Sequence, residues 1–419
     1  MKKSKFSLAI ISLLLLCTFA FNMVGCNAEV KAVNLMDGIT PRFVAVSENL
    51  DTHNDNATDF AIRLFKTANE DGKNTLISPL SVLYALAMTS NGADGQTLSQ
   101  MEDVFGLSVE ELNLYLYSYM NTLPQGDKYK LSLANSIWFT DDERFTVNQE
   151  FLQSNADYYG AEIYKAPFDN QTVKDINNWV NKETDEMIPK IVEEIPEEAI
   201  MYLINALAFE AEWLEPYEKG QVRDKTFTKE DGTKQNVAFM HNAEGKYLED
   251  ENATGFVKYY KGGKYAFVAL LPNEGTTVSE YVNSLEGDTL KSLLENAQYR
   301  TVYTMVPKFE TEYNTEMSEV LYTMGITNAF DGNNAEFGKI GQWSDGNIYI
   351  SKVLHKTYIQ VGEKGTKAGA VTAVQMDGNG AADPTEVKEV YLDRPFVYMI
   401  IDCENNIPFF IGTMTDADQ

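Results

Sequence analysis

VGEKGTKAGAVTAVQMD, residues 361–377, alternates with a period of two. Taken every second residue from Thr366, it offers Thr366, Ala368, Ala370, Thr372, Val374 and Met376, all small or apolar and none charged. The intervening set, Lys367, Gly369, Val371, Ala373, Gln375 and Asp377, holds both charges. Successive side chains of a strand point to opposite faces, so a segment with this pattern can bury one face in a sheet and keep the other wet. The plain alternative is a mobile alanine- and threonine-rich loop that joins no sheet.

Strand-like apolar runs flank the stretch, Ile348–Val361 before it and Val397–Ile401 and Pro408–Thr413 after it. Leu131–Phe139, Met201–Phe209, Tyr265–Leu271 and Thr301–Phe309 read the same way. Helical spacing marks Asp59–Thr67, with Phe60, Leu64 and Phe65 on one side, and Asp175–Ile191, with Ile176, Trp179, Val180 and Met187 in one stripe. Ser81–Ser90 follows Ser78-Pro79, a reasonable helix start, and is so apolar that it should be buried. Helices dominate the first half and strands the second, which argues for an α+β fold rather than alternating β-α-β units. With no Pro/Ser-rich linker, repeat or low-complexity tract beyond residue 50, residues 51–419 read as a single domain.

Composition narrows the function. With 44% hydrophobic residues, the 419-residue chain can bury a large core, and disorder is excluded. Its 62 acidic against 34 basic residues give a net charge of −28, which would repel a phosphate backbone and excludes nucleic acid as a partner. The three histidines, His53, His241 and His355, and three cysteines, Cys17, Cys26 and Cys403, assemble no zinc motif or disulfide framework, so no metal and no cofactor is expected. Cys403, in an apolar strand-like run, reads as a buried small hydrophobe rather than a nucleophile. There is no G-x-S-x-G, phosphate-binding loop or dinucleotide fingerprint, and Gly378-Asn379-Gly380 is turn chemistry.

Lys2, Lys3 and Lys5 precede an apolar run from Phe6 to Leu16, so residues 1–25 read as a secretory signal, too short and too early interrupted by Thr18 and Asn22 for a membrane span. Met23-Val24-Gly25-Cys26 resembles a lipobox, whose cysteine is lipidated, although methionine is untypical at its first position. Cleavage would remove three lysines and take the charge from −28 to −31. Residues 26–50 read as a tether, and the expected location is the cell surface, with membrane contact only through lipidated Cys26.

Several ordered blocks resemble the serpins. They include Asn74-Thr75-Leu76-Ile77-Ser78-Pro79-Leu80-Ser81, Leu133-Ala134-Asn135-Ser136-Ile137-Trp138, Ile176-Asn177-Asn178-Trp179-Val180 and Asn205-Ala206-Leu207-Ala208-Phe209 with Trp213. Val306-Pro307-Lys308-Phe309, Met324-Gly325-Ile326, the hinge Val361–Thr366, Arg394-Pro395-Phe396 and Phe410-Ile411-Gly412 complete a resemblance over roughly residues 55–415. It implies helices packed on a large central sheet with smaller sheets, and an exposed reactive loop near residues 363–390 that a protease cuts and that then inserts as a strand. It further implies a shutter of Ser78, Ser81, Asn205 and His355, a hinge of Glu363, Gly365, Thr366, Ala368 and Ala370, and Trp213 at the point of first insertion. The eight-residue spacings from Asn205 to Trp213 and from His355 to Glu363 agree. Lys367 and Val371 depart from the family's usual acidic and small residues, but both lie on the face expected to stay wet.

By the same resemblance the scissile bond falls fourteen residues beyond Gly365, at Asn379–Gly380. Counting back from Arg394 instead moves it toward Ala382–Pro384, leaving Ala381 and Ala382 as alternatives. Between Ala368 and Val387 there is no Arg, Lys or aromatic residue, so neither a trypsin-like nor a chymotrypsin-like pocket is served. Small residues suit an elastase-like serine protease, and a cysteine protease with a small-residue or asparagine preference is the second possibility. The expected protein is therefore not an enzyme but a monomeric suicide inhibitor of serine proteases. Against it stand a non-inhibitory serpin acting as a binding or carrier module and, with only the signal peptide in its favour, a secreted hydrolase or solute-binding lipoprotein.

Overall fold

The computed structural model describes residues 30–47, 50–123, 129–196, 198–366 and 387–417. Residues 1–25 (read above as a signal), Cys26, the expected hinge positions Ala368 and Ala370, and the candidate bond residues Asn379, Gly380, Ala381 and Ala382 lie outside the described residues.

Among the described residues, one sheet has seven strands: β1 (Val33–Asn34), β3 (Tyr129–Thr140), β5 (Glu162–Ala166), β6 (Met201–Glu212), β12 (Phe309–Glu316), β14 (Lys352–Gly362) and β15 (Gly365–Thr366). Their order is β1-β5-β3-β6-β15-β14-β12. A nine-stranded sheet holds β2 (Thr75–Ile77), β7 (Val222–Thr228), β8 (Lys234–Glu249), β9 (Ala253–Tyr259), β10 (Tyr265–Pro272), β11 (Gln298–Pro307), β16 (Lys388–Tyr391), β17 (Phe396–Asp402) and β18 (Pro408–Met414). Two short strands, β4 (Phe145–Val147) and β13 (Gly341–Trp343), pair separately. The α-helices are α1 (Asp51–Ala68), α2 (Pro79–Ser90), α3 (Gly95–Phe105), α4 (Val109–Thr122), α5 (Gln149–Tyr159), α6 (Asn170–Glu183), α7 (Val278–Ser284), α8 (Gly287–Glu295) and α9 (Ser318–Met324). The arrangement is α+β, with helices around two large sheets.

Helix α2 occupies the centre. Ser78 caps its start by accepting from Ser81 N, Pro79 fills the first turn, and every residue from Pro79 to Ser90 is buried. A helix apolar on all sides needs cover on all sides. Here it packs against β3 and β6 of one sheet and β18 of the other. Residues 201–209 of β6 are likewise all buried, because this central strand is covered on both faces.

Several elements differ from the sequence reading for identifiable reasons. Thr301–Phe309 is two strands. The chain leaves the nine-stranded sheet after Pro307 and joins the seven-stranded one at Phe309. The stripe read over Asp175–Ile191 ends as helix at Glu183, because Asp185 and Glu186 adopt positive φ of 57° and 62° and Pro189 follows. Met187 is still buried, from the segment after the helix. Cys403 lies just past β17, only partly buried, and burial pushes its thiol up to about 12.

The described part of the expected tether is docked, not free. Val33 and Asn34 pair antiparallel with Lys165 and Tyr164. Asp175 Oδ2 accepts from the backbone of Lys31 (3.0 Å) and Ala32 (2.9 Å), and Asp157 accepts from Arg42 N and Nε at 2.6 and 2.7 Å. Leu35, Met36 and Ile39 pack on the core.

Candidate functional site

Two polar assemblies interrupt the apolar interior of the seven-stranded sheet. The lower one is a row across three adjacent strands, in which Asn135 of β3 lies opposite Asn205 of β6 and Asn205 opposite His355 of β14. Ser78 N donates to His355 Nε2 at 3.1 Å, so Nδ1 carries the imidazole proton and donates to Asn205 Oδ1. Asn205 Nδ2 donates to Ser81 Oγ and to Asn135 Oδ1, each at 2.5 Å, and Asn135 Nδ2 returns to Ser81 O at 3.3 Å. The start of α2 is thus bonded to the sheet's centre, with Ser78, Ser81, Asn205 and His355 all brought together. Complete burial lowers the His355 pKa to about 3, keeping the ring neutral. Asn135 also belongs to this cluster, a residue that the sequence marks only as an asparagine in a strand-like, family-resembling block and not as part of a site.

The upper assembly surrounds the end of β14. The turn at Glu363–Lys364 reverses the chain, and Gly365–Thr366 forms β15, antiparallel to both neighbours, with Thr366 opposite Ala211 on one side and Val361 on the other. Gly365 has φ +154°, and a Cβ there would lie 2.0 Å from Ala211 O, so this position accepts only glycine. Thr366 is wholly buried, its hydroxyl 2.5 Å from Tyr260 Oη. Trp213 stacks on Tyr260 at 4.4 Å, and its Nε1 donates to Gly362 O at 2.8 Å. Lys308 Nζ lies 2.8 Å from Glu363 Oε1 and holds that carboxyl below its ordinary range.

Between the two assemblies the sheet changes character. Where β15 sits, β6 and β14 are held apart by it. Below, from Tyr358 to Lys352, β14 pairs directly and in parallel with Ala208 to Tyr202 of β6. The sheet is open at its top and closed from there down.

The face expected to stay wet is partly covered. On β6, Tyr202, Ile204, Ala206 and Ala208 are buried in a cluster with Ile176, Trp179 and Val180 of α6 and with Ile188 and Ile191 after it. The alternation in the sequence sees charges, not a helix laid over the far side. Among the described residues, no group of His, Cys, Asp and Glu could hold a metal ion.

Comparison with known proteins agrees with this geometry. The model of a family described as "Serpin (serine protease inhibitor)" matches residues 55–417. The native state of tengpin, a thermophilic serpin, superposes with a TM-score of 0.88 at 48% identity, covering 92% of this chain and all of that one. An uncharacterized serpin-like protein of Methanosarcina acetivorans is 28% identical over 86% of this chain and 85% of its own length. Leukocyte elastase inhibitor A of Mus musculus is 28% identical over 85% of this chain and 97% of its own.

Proposed function

This chain belongs to the serpin family, and we propose that it is an inhibitory member, a suicide substrate of serine proteases with an elastase-like preference. The observation that carries the reading is β15, two residues of the alternating stretch already seated between β6 and β14 at the open top of the sheet. Strand addition needs only to continue downward.

Its register can be extended. Each further residue moves one place down both neighbours, so Ala368 falls opposite Phe209, Ala370 opposite Leu207, and Thr372 opposite both Asn205 and His355. The two extrapolations, one along each neighbour, meet at the same row. Insertion therefore separates the Asn205–His355 bond and places a hydroxyl where it was, so the polar row keeps a partner. On the other face Val371 and Ala373 arrive opposite Ala206 and Ile204, under α6. Their apolar character, the larger Val371 included, suits that cover. Lys367 falls opposite the half-exposed Glu210, where its charge reaches water and a carboxylate.

In the reaction, the protease serine Oγ attacks the carbonyl carbon of Asn379 and the bond to the Gly380 nitrogen breaks. That nitrogen leaves as an amine with the proton relayed by the protease histidine, and the ester remains. Insertion then carries the ester away before water resolves it. The absence of Arg, Lys and aromatics from 368–387 supports the small-residue preference. We further propose export and lipid attachment at Cys26; among the described residues no helix is long and apolar enough to cross a membrane.

The test mixes the domain from residue 27 onward with pancreatic elastase and, separately, with trypsin. An SDS-resistant complex with elastase alone is expected, and the mass of the released C-terminal peptide identifies the bond. Cleavage without complex and without any gain in heat resistance would favour the second reading, a binding or carrier module.

A further inference from the structure

Lys258, in the middle of β9, is 2% exposed, and its partner Glu244 on β8 is 11% exposed, with Nζ and Oε1 2.8 Å apart. Two charges seldom leave water without a structural return, and apolar residues of the same size commonly fold as well or better. Lys258 Nζ also donates to Glu215 O at 3.2 Å, and it lies 4.4 Å from the ring centroid of Tyr217 and 5.4 Å from that of Trp213. The Tyr217 hydroxyl is buried with no partner among the described residues, so the ring is placed by the ammonium beneath it, not by a hydrogen bond of its own.

What this ammonium supports is the segment 213–217. That segment in turn captures three consecutive carbonyls of the reversal after β14. Trp213 Nε1 donates to Gly362 O, Tyr217 N to Glu363 O and Trp213 N to Lys364 O, all at 2.8 Å. The reversal is the pivot from which any strand beyond Thr366 is laid down. A pivot held at three successive carbonyls permits one register. A slip by one residue would turn Lys367, Gln375 and Asp377 toward the core.

We propose that the buried Lys258–Glu244 pair is a positioning device that fixes the register of the entering strand by supporting segment 213–217 under the pivot. This rests on the reading that the loop inserts after cleavage. Without the pair the pivot loosens, insertion slows relative to hydrolysis of the ester, and more molecules are cut for each complex formed.

The test uses the double variant Lys258→Met/Glu244→Leu, with Lys258→Arg as the conservative control. The number of molecules cut by pancreatic elastase per SDS-resistant complex should rise at least about threefold in the double variant and stay near wild type in Lys258→Arg. The urea midpoint of the uncut double variant should be unchanged or higher. In the uncut proteins, amide exchange at Gly365 and Thr366 should quicken by about tenfold in the double variant alone. Should the double variant not fold, Glu244→Gln, which removes one charge and keeps the volume, is read in the same two assays. Unchanged partition and unchanged exchange overturn the proposal. If wild type forms no complex and gains no heat resistance on cleavage, the inhibitor reading fails by itself, and the exchange measurement still decides whether the pair holds the pivot.

Discussion

Acid should loosen this protein at one identifiable histidine. His355 accepts from Ser78 N through Nε2, and its pKa is lowered to about 3 by burial, against about 6.5 in an unfolded chain. Below pH 6.5 the unfolded chain binds a proton that the folded one refuses, so stability falls as pH falls until about pH 3. The contribution is fully present above pH 6.5 and costs about 1.4 kcal/mol per pH unit below it. By pH 4.5 the loss from this side chain is about 2.7 kcal/mol, with a ceiling of about 5 kcal/mol. Once protonated, the imidazolium sets an N–H against Ser78 N–H, and the tie between α2 and the sheet is lost. Urea unfolding of wild type and His355→Gln, measured from pH 7.5 to 4.5, isolates the effect, since every other titrating group is shared. The stability difference between the two proteins should narrow by about 2.7 kcal/mol over that range. Parallel curves would refute a buried neutral His355 as the acid-sensitive element.

Three further outcomes are expected. Gly365→Ala, whose Cβ would meet Ala211 O at 2.0 Å, should expel β15 at a cost of about 1–3 kcal/mol, read as faster amide exchange at Thr366 and a lower urea midpoint. Thr366→Arg would place a guanidinium at a wholly buried site beside Tyr260, a penalty of about 3–5 kcal/mol. Elastase should then cut the loop without forming a complex or raising heat resistance, and an undiminished complex would contradict the insertion path. Asp175→Ala removes the acceptor of Lys31 N and Ala32 N, worth about 1.5–3 kcal/mol per bond, and should expose residues 30–47 to limited proteolysis.

Much of the site was legible because it consists of residues that contradict their surroundings. Ser78 and Ser81 sit at the head of an apolar helix, Asn205 and His355 inside apolar strands, and Gly365 at a reversal. Asn135 carries the same signature, but nothing in one strand says which residue of another lies beside it. The cover over the far face was hidden for a related reason. Ala206 and Ala208 read as neutral, and only the packing of Trp179 and Ile188 makes them buried. The docking of residues 30–47 depends on two carboxylates, Asp157 and Asp175, more than a hundred positions away. The Lys258–Glu244 pair was invisible in sequence because a lysine in a strand is ordinarily a solvated one.

The margins of the seven-stranded sheet bear on a hazard of another kind. If the proposed insertion adds a strand at the sheet's middle, the outer rims must not pair with strands of neighbouring molecules. One rim, β5, is closed by β1, a two-residue piece from the same chain. The other, β12, reads FETEYNTE and faces outward with Glu310 and Glu312 exposed. Charge on a rim that pairs with no other strand among the described residues discourages pairing with a stranger, and a short occupied rim offers little template. By pairing with Lys165 and Tyr164, residues 33–34 disfavour pairing of a neighbouring molecule's strand along that rim.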